Sequence, residues 1–149
     1  MLKKLIISIG FLLTVLVTGC ASVPMETKEN DLVAKEFNKP ADNQAGLYIY
    51  RNSAVGQALK KSVYLNDVLV GETANKVFFY KLISPGNYKL STESEFSDNS
   101  INFEAEGGRN YFVEQYIKIG VFVGGANLKM IPEEEGMAAV LKCNLAVCN

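Results

Sequence analysis

Histidine and tryptophan are both absent from this chain of 149 residues. The lack of histidine is the more informative, because histidine is the usual general base near neutral pH and a common zinc ligand. Without it the chain cannot form a Ser-His-Asp or Cys-His catalytic arrangement. No other nucleophile motif takes its place in the sequence. We therefore predict a protein that is not an enzyme and has no catalytic residues, no metal site and no cofactor.

Long apolar runs are also scarce, and the longest opens the chain. Residues 5–17 carry no charge, follow Lys3 and Lys4, and are followed by two small residues. A transmembrane helix needs roughly 20 apolar residues, so this run is too short for a comfortable span. A positive start, an apolar centre and a small-residue end are typical of a secretory signal. We predict that residues 1–19 are a signal peptide.

The next residue is Cys20, which completes the run Val17-Thr18-Gly19-Cys20. This run resembles the bacterial lipobox, an aliphatic residue and two small residues before a cysteine. The resemblance implies a diacylglyceryl group on the Cys20 sulfur, cleavage before Cys20 and acylation of the new amine. Acyl chains contribute about 0.8 kcal/mol per buried CH₂ to membrane binding. Inner-membrane lipoproteins of this kind carry Asp directly after the cysteine, whereas here Ala21 and Ser22 follow it, which implies an outer-membrane location facing the periplasm.

The charge balance gives no sign of a nucleic-acid partner. Removing the signal takes away Lys3 and Lys4 and no acid, so 15 basic side chains become 13 against 16 acidic ones, a net charge of −3. No basic cluster or stripe is present either, and these are the electrostatic signs of nucleic-acid binding. We expect contact with the membrane through the lipid on Cys20, and an envelope protein or a cell-wall component as the partner.

Residues 20–46 are mostly polar, and we predict a flexible, lipid-anchored tether with one short helix around residues 30–37, capped by Asn30 or Asp31. From Leu47 onward apolar and polar residues alternate in many short segments, such as LYIYR, SVYLND and NYFVEQYIKIG. Turn signals such as Asn66-Asp67 and Pro85-Gly86 separate these segments. The pattern predicts a mainly β domain over residues 47–149, an antiparallel β-sandwich of about seven or eight strands with a short helix from Pro132 to Lys142.

Two family resemblances rest on these segments. Residues 63–94 resemble the surface β-domain pattern named for its Pro-Glu-Gly-Ala motif, through Val-x-Leu-Asn, Val-Gly-x-Thr and Pro-Gly-x-Tyr-x-Leu, although the naming tetrapeptide is missing. Cys20 through about Ala146 resembles small bacterial lipoproteins of the family catalogued as domain of unknown function 2846. The shared pieces include GCASVPM, AGLYIYR, VYLNDVLVGET and GGRNYFVEQ. These resemblances imply a fold and a location, and no activity.

Two groups of residues are candidates for special roles. Cys143 and Cys148 either form a disulfide in an oxidising periplasm, which requires the chain between them to turn back, or leave Cys143 buried and Cys148 in a frayed end. The other group is a set of tyrosines that share one sheet face if their strands are neighbours: Tyr48, Tyr50, Tyr64 and Tyr116. Such a face either stacks on sugars or other ligands, or is the packed side of the sandwich.

Three functions fit these observations. The first is a non-enzymatic envelope module that binds a periplasmic protein or cell-wall component through an edge strand or sheet face. The second is a structural accessory of a larger envelope or secretion assembly, joined by strand addition. The third is a small hydrolase using a pair of carboxylates brought together across a hairpin, from among Glu93, Glu95, Asp98, Glu104 and Glu106. The absence of histidine favours the first.

Overall fold

The computed structural model describes residues 21–94, 99–120 and 124–149. The predicted signal peptide and Cys20 lie outside these ranges. The described residues form two helices, α1 (Lys28–Ala34) and α2 (Glu133–Val140). They also form nine strands: β1 (Ala45–Arg51), β2 (Lys61–Leu65), β3 (Val68–Thr73), β4 (Val77–Ile83), β5 (Gly86–Thr92), β6 (Asn99–Ala105), β7 (Asn110–Lys118), β8 (Gly125–Ile131) and β9 (Asn144–Leu145).

The strands form two sheets that face each other, which confirms the predicted mainly β sandwich. One sheet has five strands in the order β8-β7-β1-β4-β9, and the other has four in the order β3-β2-β5-β6. Most neighbouring strands pair antiparallel, as predicted, but β1 pairs with β7 and β4 with β9 in parallel. Parallel neighbours need a long crossover. Here that crossover between β1 and β7 consists of five other strands instead of a helix.

Alternation along the strands divides the apolar residues between two clusters. In β1, Leu47 and Ile49 point into the core between the sheets, whereas Tyr48 and Tyr50 point to the outer face of the five-stranded sheet. The segment KVFFYKLIS, apolar on both faces, forms β4 between β1 and β9, and both of its phenylalanines are buried. A strand covered on both faces has such a sequence.

Both helices cover the outer face of the five-stranded sheet. Val140 of α2 and Ala34 of α1 belong to the cluster that contains Tyr48 and Phe112. The predicted second helix is confirmed, with Pro132 at its N-cap. The first starts earlier than predicted, because Thr27 is its cap and accepts a hydrogen bond from Asn30 N at 3.2 Å. Neither helix in the described part of the chain is long and apolar enough to cross a membrane.

The stretch predicted as a tether is packed on the domain from Ala21 onward. Met25 forms a β-bridge with Ala146, and Leu145 N donates to Asp31 Oδ1 at 2.7 Å. The Phe37 ring lies 5.4 Å from that of Tyr48. Over its described residues the segment is therefore part of the folded unit. Four of its apolar side chains carry this packing: Ala21 and Val23 pack against the core between the sheets, and Ala34 and Phe37 pack in the cluster under the helices.

Candidate functional site

The sandwich has two ends, defined by the strand termini. We call one the proximal end; it holds the β1–β2 loop (residues 52–60), the junction of β7 and β8, and the β3–β4 turn. The other, the distal end, holds the turn Asn66-Asp67 and the start of β5. These ends differ in the side chains they present, and each is a candidate site.

Ala21 is fixed at the proximal end. Its backbone N–H donates to the carbonyl of Gln57 in the β1–β2 loop at 3.3 Å. The side chains of Ala21 and Val23 pack against the core between the sheets. Cys20 precedes Ala21 by one peptide bond, and consecutive Cα atoms lie about 3.8 Å apart. The residue predicted to carry the lipid is thus joined directly to a packed residue.

Arg51 holds the loop to which Ala21 is bonded. This last residue of β1 is 0% exposed, and its guanidinium donates to the carbonyls of Leu59, at 2.8 Å, and Gly56. Burial lowers the pKa of Arg51, and no carboxylate of the described chain forms an ion pair with it. The sequence analysis missed Arg51. The signal was its period-2 spacing from Leu47 and Ile49, which places it on the inward face.

The distal end carries an open cavity of about 480 Å³ on the outer face of the four-stranded sheet. Its lining is mostly polar: Asn66, Asn87, Tyr88, Lys89, Asn102, Phe103 and Glu104. The turn beside it confirms the prediction, because Asn66 and Asp67 have φ of 49° and 63°. Asn66 Oδ1 accepts a hydrogen bond from Lys89 N, and Lys89 Nζ pairs with Asp67, each at 2.9 Å.

Three other polar side chains of this face are exposed, and each lies opposite a polar residue across β5 and β6. Asn87 faces Glu104, and Lys89 faces Asn102. Asn87, Asn102 and Glu104 form no side-chain hydrogen bond to any described residue. Their amide and carboxylate groups are therefore available to a ligand, with both donors and acceptors present.

The structure does not bring the four candidate tyrosines together. Tyr48 and Tyr50 are buried beneath the helices, and Tyr48 Oη donates to Ala34 O at 2.9 Å. Tyr116, on the same sheet, accepts a hydrogen bond from Asn127 Nδ2 at 3.0 Å. Tyr64 belongs to the four-stranded sheet and is half-buried. The four tyrosines therefore form no common ligand face. Tyr48 and Tyr50 instead lie on a packed side of the sandwich.

Cys143 and Cys148 are both free, so the disulfide left open by the sequence is not formed. The reason is the five-residue spacing along an extended segment, which puts the two thiols on opposite sides of the sheet. Cys143 packs in the cluster under the helices, whereas Cys148 packs against the core between the sheets. Cys148 is also not frayed, because its Sγ lies 3.6 Å from Tyr80 O. Burial raises the pKa of the Cys143 thiol to about 12.

Of the carboxylates considered for hydrolysis, Glu95 and Asp98 lie outside the described residues, and Glu93 lies far from Glu104. In the β5–β6 pair, Asn87 is opposite Glu104, whereas Glu93 follows Thr92 at the other end of β5. Six residues separate Asn87 from Glu93, which is about 20 Å at 3.3 Å per residue. Glycosidase carboxyl groups lie roughly 5–9.5 Å apart. Glu93 and Glu104 therefore cannot act on one glycosidic bond in this structure.

Comparison with known proteins adds a family and a relative. The model of the family described as "Protein of unknown function (DUF2846)" matches residues 41–126. A protein of Haemophilus influenzae described as "Uncharacterized protein" is 53% identical over 132 residues, which cover 89% of this chain and 79% of that protein. No solved structure matches the chain.

Proposed function

This chain belongs to the DUF2846 family of proteins of unknown function, and we propose that it is a lipid-anchored, non-enzymatic envelope protein that presents a binding surface away from its membrane. In this proposal the lipid is carried by Cys20, and the membrane is the outer membrane, with the domain in the periplasm. The segment resembling the Pro-Glu-Gly-Ala pattern, residues 63–94, supplies the scaffold of the binding surface.

The observation that carries the proposal is the placement of the two candidate sites at opposite ends of the sandwich. Ala21 is bonded to the proximal end, whereas the cavity lies at the distal end beside Asn66. Strands of seven residues separate the ends by about 20 Å. A lipid on Cys20 would therefore leave the distal cavity facing the aqueous compartment.

The chemistry of the distal cavity favours a polar ligand over a protein surface. Protein interfaces depend on a buried apolar or aromatic centre. Here the exposed groups are amides, Lys89 and Glu104, whereas the side chains of Tyr88 and Phe103 pack against the core between the sheets. Hydroxyl and amide groups of a cell-wall glycan would match these donors and acceptors. We therefore propose a cell-wall glycan as the ligand.

The test is co-sedimentation of the full-length protein, in detergent, with purified peptidoglycan sacculi. We expect the wild type to sediment, and the double variant N87A/N102A to show at least five-fold weaker binding. Asn144→Ala is the matched control, because Asn144 is an exposed asparagine at the proximal end; its binding should equal that of the wild type. Failure of the wild type to sediment, or equal binding by the double variant, contradicts the glycan.

The alternative of a structural accessory in a larger assembly makes a different prediction in the same region. A photo-crosslinking residue placed at position 102 in intact cells would then join the chain to one envelope protein in high yield. The same group at Asn144 supplies the background. A glycan ligand predicts adducts with cell-wall fragments instead of a protein.

The anchor is tested separately from the ligand. Intact mass of the native protein should show a chain that begins at Cys20 and carries acyl groups, and Cys20→Ser should release the protein from the outer-membrane fraction. An unacylated native protein found in the soluble fraction would exclude the anchor. Glycan binding at the distal cavity would still be tested by co-sedimentation with peptidoglycan.

A further inference from the structure

We propose that the proximal end of the domain rests directly on the bilayer surface, with Ile119 and Val55 among the lipid headgroups. This inference rests on the proposed lipid at Cys20. It adds a defined orientation and a second, non-covalent contact with lipid, neither of which an anchor alone requires. The occupant of the surface is the headgroup layer of the membrane that holds the lipid.

No flexible linker separates the proposed anchor residue from the packed part of the domain. A flexible tether of about 25 residues would allow the domain to stand as far as about 85 Å from the membrane. Instead, Ala21 N is bonded to Gln57 O, and Arg51 holds that loop through the carbonyls of Gly56 and Leu59. One peptide step thus joins Cys20 to the proximal end, and this end is brought to the depth at which the acyl chains enter the bilayer.

The second argument is the exposure of apolar side chains around this point. Ile119 directly follows β7 and is 93% exposed, and Val55 in the β1–β2 loop is 51% exposed. The two loops touch, since a Cβ on Gly56 would lie 3.1 Å from Ile117, and a Cβ on Gly124 would lie 2.7 Å from Leu59. Apolar side chains held at a membrane–water boundary bury their surface among the lipids.

The third argument is the charge at this end. Lys60 and Lys118 are exposed beside the apolar residues, and the exposed Lys142 precedes Cys143, whose thiol lies 3.8 Å from Arg51 O. None of these lysines forms an ion pair with a carboxylate in the described ranges. Glu93, also at this end, accepts a hydrogen bond from Ser62 N at 3.3 Å. Lysines beside a membrane are attracted by anionic headgroups.

The absence of tryptophan provides a clean experiment. Ile119→Trp makes the native lipoprotein carry a single tryptophan at the proximal end. Val68→Trp is the matched control, because Val68 is also an exposed apolar residue, at 69%, but lies beside the distal turn. Each protein is reconstituted into vesicles of phosphatidylethanolamine and phosphatidylglycerol, with and without bromine on the acyl chains near the headgroups, and tryptophan quenching is measured.

We expect brominated lipid to quench I119W at least three-fold more strongly than V68W. Inserting about 20 Gly/Ser residues between Cys20 and Ala21 should lower the I119W quenching to the V68W level, because such a linker has a root-mean-square length of about 25 Å. Equal quenching of the two reporters in protein that floats with the vesicles overturns the orientation and leaves the anchor intact. Protein that lacks acyl groups by mass and fails to float overturns both.

Discussion

Replacing Gly136 by alanine should destabilise the protein, although Gly136 lies inside a helix. By helix propensity alone the change would stabilise α2 by about 1 kcal/mol. However, Gly136 is buried where α2 crosses β7, and an added Cβ would lie 2.4 Å from both Cβ and Cγ of Phe112. Phe112 cannot move away easily, because it is buried and its ring stacks on Tyr48 at 4.8 Å. Overpacking of this kind costs about 1–3 kcal/mol.

The atoms in conflict belong to the base of the Phe112 side chain, so we expect a cost near the upper end of that range. After the propensity gain is subtracted, Gly136→Ala should lower the free energy of unfolding by about 1–2 kcal/mol. The measurement is urea unfolding followed by circular dichroism, with the midpoint compared at an unchanged slope.

Two controls separate packing from propensity. Ala138→Gly, at an exposed position of the same helix, should cost about 1 kcal/mol through propensity alone. Combining Gly136→Ala with Phe112→Ala should give a smaller total loss than the sum of the two single losses, because alanine lacks Cγ, one of the two atoms in conflict, and the whole ring beyond it. A Gly136→Ala protein as stable as the wild type, or more stable, would refute the close contact between α2 and β7.

Three further predictions concern buried groups. Arg51→Met leaves the carbonyls of two loop residues without their donor, so the free energy of urea unfolding should fall by about 1–3 kcal/mol. Residues 52–60 should also become sensitive to limited proteolysis. A loop as resistant to proteolysis as that of the wild type would contradict the role of Arg51 in holding it. Tyr48→Phe removes a buried hydrogen bond to α1 and should cost about 1 kcal/mol, whereas Tyr64→Phe should change stability little. Burial raises the pKa of the Cys143 thiol to about 12, from near 9. The unfolded chain therefore loses this proton first, and stability should be complete below about pH 8.5 and fall as the pH rises towards 12. Cys143→Ala should flatten that fall between pH 8 and 10.5, and an identical slope in both proteins would exclude the thiol as its source.

The sequence was most informative where structure depends on neighbours along the chain. The alternation in LYIYR assigned each side chain of β1 to a face. Asn66-Asp67 marked the turn between β2 and β3, because both residues tolerate positive φ. The apolar segment of β4 identified a central strand, and Pro132 marked the start of α2. Each of these features is decided by steric preference or by burial of one face, which a short stretch of sequence records.

What the sequence did not reveal depends on contacts between distant residues. Nothing near Asp31 indicates that Leu145 will donate to it, so a packed segment was read as a tether. Strand order is equally non-local, and without it the tyrosines could not be assigned to sheets, nor the parallel pairing of β1 and β7 foreseen. The distal cavity and the position of Ala21 both follow from that order.

The bridge between Met25 and Ala146 has a consequence for biosynthesis. The backbone partners of residues 24–26 are Leu145 to Val147, which a ribosome adds more than a hundred residues later. Until those residues are made, the stretch next to Cys20 has no strand to pair with. This edge of the domain therefore closes only after the whole chain is complete, and on the proposed lipidation at Cys20 the segment beside the modified residue is unpaired until then.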